Sequence, residues 1–209
     1  NAMRDLSIRG AGNLLGKQQS GFIDSVGYDL YTQMLTDAVS KKQGKKAKPK
    51  TDTTVELGLE AYLPDTYIAD QQQKIEMYKR IRQIESPEDI TEVQNDLIDR
   101  FGEYPTEVTN LLAISQVKIQ ADEALIEKIH RIKDQIEVVF SVKGTDRFSG
   151  EDVFKALSNT KLKATVGLSN DKLVVKLVIQ PKMTAQNWMA ELNQFVKALS
   201  DMAVKTTTK

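Results

Sequence analysis

The residues best suited to chemistry cluster near the start of the chain, where Arg9, Gly10, Gly12, Gly16, Gln19 and Gly21 surround the apolar pair Leu14 and Leu15. Glycines this dense can let backbone N–H groups approach a phosphate. A dinucleotide fingerprint, however, needs G-x-G-x-x-G between a strand and a helix. Here the third glycine stands one residue too far along, and no strand-helix-strand unit surrounds it. A P-loop fails as well, because no Lys-Ser or Lys-Thr follows a suitable glycine pair. His130 is the single histidine and the chain holds no cysteine, so neither a zinc site nor a Cys-His pair can be assembled, and His130 is read as structural. No G-x-S-x-G elbow or H-E-x-x-H helix organises the serines and acids. The expectation is no catalytic residue, no metal ligand and no cofactor within these residues.

Two charged stretches remain. Lys41 to Lys50 carries six lysines, a glycine and a proline without an acid or a large apolar group. It reads as a solvated linker, with salt-sensitive contact to DNA as the alternative. Asn95 to Pro105 places Asp96, Asp99 and Arg100 within three to four residues, so a helix would gather them on one face. An intrahelical Asp96–Arg100 pair on a solvated stripe is the plain reading. A docking face whose two acids and one base set a partner's register is the functional one.

The elements that must position these residues follow from hydrophobic period. Asp24 to Lys42 has helical spacing. Thr54 to Pro64 alternates Val55, Leu57 and Leu59 with Glu56, Gly58 and Glu60, predicting a strand that stops at Pro64. Thr66 to Ile84 reads as a helix with Ile75, Tyr78, Ile81 and Ile84 inward. Ser86-Pro87-Glu88-Asp89 starts another, with Ile90, Val93, Leu97 and Ile98 inward and a stop at Phe101-Gly102. Tyr104-Pro105 opens a third, running past Leu125. From about residue 130 the period becomes two: Ile136, Val138, Phe140 and Val142 predict a strand. A short capped helix over 149–157, a hairpin turning at Ser169-Asn170-Asp171 and a final helix from Thr184 to Val204 complete the chain. The fold class is therefore α+β: an N-terminal helical arm over residues 1–50, then a compact domain over 51–209 of several helices packed with a small, mostly antiparallel sheet.

Twenty-nine basic and 29 acidic residues cancel, so no global field attracts a polyanion. No stretch approaches the roughly 20 apolar residues of a spanning helix. The absence of cysteine suits a reducing compartment, and the expected location is the cytoplasm. Asn1-Ala2-Met3 resembles the remnant of a removed tag, and the sequence is expected to begin inside a longer protein.

Several of these segments together resemble one family. Arg4 to Val39, "RDLSIRGAGNLLGKQQSGFIDSVGYDLYTQMLTDAV", looks like the stretch after the last helicase motif of bacterial transcription-repair coupling factors (Mfd), its first half shared with the branch-migration helicase RecG. "VELGLEAYLPDTYI", "KIEMYKRI" and "LIDRFGEYPTEV" match the C-terminal domain of the same factors in the same order. The resemblance implies that Arg9 and Gln19 are the functional arginine and glutamine of a translocation motif coupling ATP hydrolysis to movement on duplex DNA. It also implies that residues 51–209 form a regulatory domain. That domain clasps the N-terminal UvrB-like module of the same protein through Asp96, Asp99 and Arg100, masks the UvrA-binding surface and represses the motor until RNA polymerase is engaged. ATP and magnesium would belong to the parent motor. A DNA-contacting accessory module without an autoinhibitory role is the alternative. Leu6, Ile8, Leu14, Leu15, Phe22 and Ile23, lacking a motor lobe, are expected to be disordered or packed on a neighbouring copy, which would make the chain a homo-oligomer.

Overall fold

The computed structural model describes residues 51–207. The arm, the helix expected over 24–42 and the lysine-rich linker lie outside the described residues. Those described form two compact units, one of residues 59–112 and one of residues 51–58 with 113–207. They make an α+β fold of six helices and one five-stranded sheet.

In the first unit, helix α1 spans Gln71–Arg82 and helix α2 spans Pro87–Phe101. Helix α3, Thr106–Glu123, begins here and continues into the second unit. Helix α1 starts five residues later than its apolar spacing predicts. Pro64 turns the chain, its carbonyl accepting from Tyr67 N and Ile68 N, and Asp70 then caps the helix by accepting from Gln72 N and Gln73 N. The buried stripe is Lys74, Met77, Tyr78 and Ile81, so Ile75, predicted inward, is 41% exposed. Tyr78 accounts for the rotation: buried, it accepts a 2.9 Å bond from Leu63 N through its hydroxyl, and Lys74 on the same stripe pairs with Asp65.

Helix α2 starts where its caps predict. Ser86 Oγ accepts from Asp89 N at 3.2 Å, Pro87 is the first helical residue, and Glu88 and Asp89 meet the helix dipole. At the other end Gly102 has φ 85° and ψ −173°, and its N–H donates to Ile98 O. Tyr67 Oη closes this end by donating to Gly102 O at 2.7 Å, its ring edge-on to Phe101. Ile90, Val93 and Leu97 are buried as predicted, but Ile98 is 46% exposed. Leu97 completes the i, i+3, i+7 stripe, and one more residue turns about 100° away from it.

In the second unit, strands β1 (Thr54–Glu56), β2 (Ile126–Ile132), β3 (Gln135–Phe140), β4 (Lys163–Ser169) and β5 (Lys172–Val178) form a sheet in the order β1-β2-β3-β5-β4. Only β1–β2 is parallel. Strand β1 ends well before Pro64 because Gly58 takes φ 68°, and Arg131 ties the turn down by donating from Nε to Leu57 O at 2.7 Å. Helix α3 ends at Glu123 and does not pass Leu125, whose φ of 60° turns the chain into β2. Val142, predicted to extend β3, instead begins helix α4 (Val142–Arg147) and is 61% exposed. Ser141 switches the chain there, its Oγ accepting from Gly144 N and donating to Leu125 O.

Helix α5 (Gly150–Leu157) carries the predicted cap as a reciprocal Ser149–Asp152 box. The β4–β5 hairpin turns on Asn170 and Asp171 at φ 52° and 64°, as its turn chemistry predicts. Helix α6 (Ala185–Thr207) buries Trp188, Leu192, Phe195, Val196 and Leu199, the predicted stripe. One sheet face, with Ile129, Ile136, Val138, Phe140, Val175 and Leu177, is fully buried in the core. The opposite face carries cross-strand charges, among them His130–Glu137 at 3.0 Å and Lys172–Glu127 at 2.9 Å.

Candidate functional site

Helices α1 and α2 each carry an acid followed four residues later by an arginine: Glu76 and Arg80 on the first, Asp96 and Arg100 on the second. The turn between the helices sets them in opposed register, so each acid meets the other helix's arginine. Arg80 Nη1 donates to Asp96 Oδ2. Arg100 Nη1 donates to Glu76 Oε1 at 2.9 Å and to Asp96 Oδ2 at 3.3 Å, and lies 3.7 Å from Met77 Sδ. The Arg100 guanidinium also sits 5.0 Å from the centre of the Phe101 ring. Its bond to Glu76 holds it even more firmly protonated than a free arginine. This seam is part-exposed, so each pair contributes modestly, but four charges sharing one line fix the angle at which α2 presents its outer side.

Asp99 does not join the seam. It has no hydrogen-bond or ion-pair partner among the described residues and is exposed, as are Glu92 and Asn95, which precede it by seven and four residues on the same helical stripe. Ile98 adds an exposed apolar side chain next to it. The three residues singled out from sequence therefore divide. Asp96 and Arg100 are committed to α1, while Asp99 heads an outward stripe of acid, amide and apolar groups. Glu76 and Arg80 were not anticipated. The signal that could have found them is the same acid-then-arginine spacing on two successive helices. Arg9 and Gln19 lie outside the described residues.

Other titratable clusters are internal ties. Asp122 accepts from Thr53 N at 2.8 Å and lies 3.5 Å from Lys118 Nζ, which also reaches Asp52 at 2.7 Å, so the carboxylate anchors the lead-in to β1. Burial pushes the Asp122 carboxyl above its ordinary range, partly opposed by the Lys118 charge and the Thr53 bonds. His130 is one rung of the sheet's outer face. Among the described residues no group of three or more His, Cys, Asp or Glu side chains is placed to hold a metal, and no helix is long and apolar enough to cross a membrane. What α2 exposes is a stripe of two acids, an amide and an apolar side chain, Glu92, Asp99, Asn95 and Ile98, on a helix tied to α1 through Asp96 and Arg100.

Comparison with known proteins follows the same lines. The family model described as the TRCF domain matches residues 57–150. The transcription-repair-coupling factor of Staphylococcus epidermidis is 45% identical over 207 residues, 98% of this chain, and that of Bacillus subtilis strain 168 is 41% identical over the same length. The chain spans 17% of the length of these relatives. A crystal structure of the C-terminal domain of a transcription-repair coupling factor superposes with a TM-score of 0.72 at 37% identity, covering 76% of this chain and 98% of that one. By sequence and fold alike, the chain belongs to the transcription-repair-coupling factor family.

Proposed function

We propose that the chain is the C-terminal regulatory portion of an ATP-dependent DNA translocase acting in transcription-coupled repair in the cytoplasm. In this reading, the outer side of α2 docks on the N-terminal UvrB-like module of the same longer protein. Docking masks the surface that recruits UvrA and holds the motor repressed until RNA polymerase is engaged. Arg9 and Gln19 act in the arm, coupling ATP hydrolysis to movement on duplex DNA. This portion performs no catalysis, and ATP and magnesium belong to the motor elsewhere in the longer protein. The chain's similarity to coupling factors over a small share of their length supports the assignment.

The observation that carries the docking reading is the division of labour on α2. Asp96 and Arg100 are engaged with α1, which fixes the helix, while Asp99 stands without a partner among the described residues, beside exposed Ile98. An unpaired carboxylate next to an apolar side chain on a rigid helix can give both the steering charge and the desolvated contact of a reversible interface.

Calorimetric titration of the 209-residue chain into the UvrB-like module tests this directly. Saturable binding is expected, weakened at least tenfold by Asp99→Arg. Absence of heat at millimolar concentration, or binding indifferent to Asp99→Arg, would refute the assignment of this face. Salt-sensitive binding of duplex DNA with no binding to the module would instead establish the DNA-contacting alternative.

A further inference from the structure

Strand β4 is an edge of the sheet, and its exposure is unusual for the side it faces. The register places Ala164 opposite Leu177, Val166 opposite Val175 and Leu168 opposite Leu173. Those three β5 residues are buried on the helix-covered face. Val166 and Leu168 point to that same face, yet they are 46% and 72% exposed, because the helical layer stops short of the last strand. The strand thus presents an apolar stripe and, along its free side, a row of backbone N–H and C=O groups with no ladder partner among the described residues.

We propose that β4 pairs with the β4 of a second copy of this chain, antiparallel about a two-fold axis at Val166. Such a strand-to-strand contact is isologous, so each residue i faces residue 332 − i of the other copy. Centring on Val166 is the one register in which all seven residues from Lys163 to Ser169 pair. Val166 then meets Val166 of the second copy, and Ala164 meets Leu168, which continues the apolar stripe across the axis. Charge decides the direction. Lys161 and Lys163 lie at the start of the strand and Asp171 just past its end. Antiparallel pairing sets Lys163 opposite Ser169 and brings the lysine-bearing start of each strand to the end of the other, where Asp171 stands in the turn, whereas a parallel in-register pair would stack Lys163 on Lys163. Thr165 and Gly167 face each other on the opposite side, where the open space above Gly167 leaves room for the partner's Thr165 side chain. The surface lies in the second unit and is independent of the α2 docking face.

The absence of cysteine makes the test clean, because a single introduced thiol has no competitor. Sedimentation of the 209-residue chain over a concentration series is expected to show a monomer–dimer equilibrium. Val166→Lys, which opposes two like charges at the axis, is expected to raise the dimer dissociation constant by about tenfold or more while the circular dichroism spectrum is retained. Under mild oxidation Val166→Cys is expected to form a disulfide-linked dimer, and Phe154→Cys, on the exposed side of α5, is not. A chain that stays monomeric throughout overturns the proposal. So does a dimer that survives Val166→Lys, as one held through residues 1–50 would. So, too, does a Val166→Cys dimer that cross-links no faster than Phe154→Cys.

Discussion

Two carboxylates three residues apart on α2 have opposite fates, and stability measurements can tell them apart. Asp96 is held by Arg80 and Arg100, whereas Asp99 has no partner among the described residues. Asp96→Asn removes the charge shared by two arginines, with an expected cost of about 1 kcal/mol after discounting for solvent screening. Asp99→Asn is expected to change stability by less than about 0.5 kcal/mol, as surface substitutions usually do. Urea titration of both variants checks the pair; equal losses would mean that Asp99 serves the fold and not a partner. Asp122 gives a prediction with a sign. Its carboxyl is raised by burial, so in the window above the ordinary value of 3.8 the folded protein holds a proton that the unfolded chain has released. Folded-state proton excess makes stability fall as pH rises, so this contribution is present at low pH and lost through the raised value. The stability of the native protein minus that of Asp122→Asn should therefore decline over that window in pH-dependent denaturation, and a flat difference would place the carboxyl back in its ordinary range.

At the scale of elements, close backbone approach imposes the sharpest constraint. Gly144 in α4 lies so near the turn after α3 that an added Cβ would sit 2.4 Å from Leu125 O, a backbone atom that cannot swing aside. Gly144→Ala should cost roughly 1–3 kcal/mol, measured as a lower urea midpoint with an unchanged slope. A neutral outcome would show that α4 shifts freely. Elements whose signals are local were legible beforehand: the Ser86 and Ser149 caps, the Asn170-Asp171 turn and the Trp188-to-Leu199 stripe all depend on residues within a few positions. Strand β2 was not. Ile126, Ile129 and Ile132 recur every three residues, which reads as helix. A bulge between Ile126 and Lys128 lets Ile126 and Ile129 both face inward, opposite Phe140 and Val138. The charged seam was half legible for a related reason. The Asp96–Arg100 spacing is visible within one helix, but Glu76 and Arg80 join it only through the register of two helices, which no local pattern specifies.

For the molecule as a whole, charge and tethering set how strong the proposed docking contact can be. Basic and acidic residues balance at 29 each, so no long-range field adds to the encounter, and attraction must come from the α2 face itself. In the proposed arrangement, with the target module in the same polypeptide, a flexibly linked domain would experience an effective concentration of about 1 mM. A dissociation constant of about 0.1 mM for the separated pieces would then give a closed-to-open ratio near 10, and opening would cost about 1.4 kcal/mol, within reach of a second partner's differential affinity. A constant of about 1 μM would raise the ratio to about 1,000 and the cost to about 4 kcal/mol, demanding a far stronger opening signal. Two exposed carboxylates, Glu92 and Asp99, one half-exposed isoleucine and the Asn95 amide fit the weaker regime. The calorimetric constant for the separated chain and module is therefore expected between about 10 μM and 1 mM, and to weaken further as salt is raised. Submicromolar affinity insensitive to salt would mean that the interface is larger than the α2 stripe and that the contact is a permanent joint, not a switch.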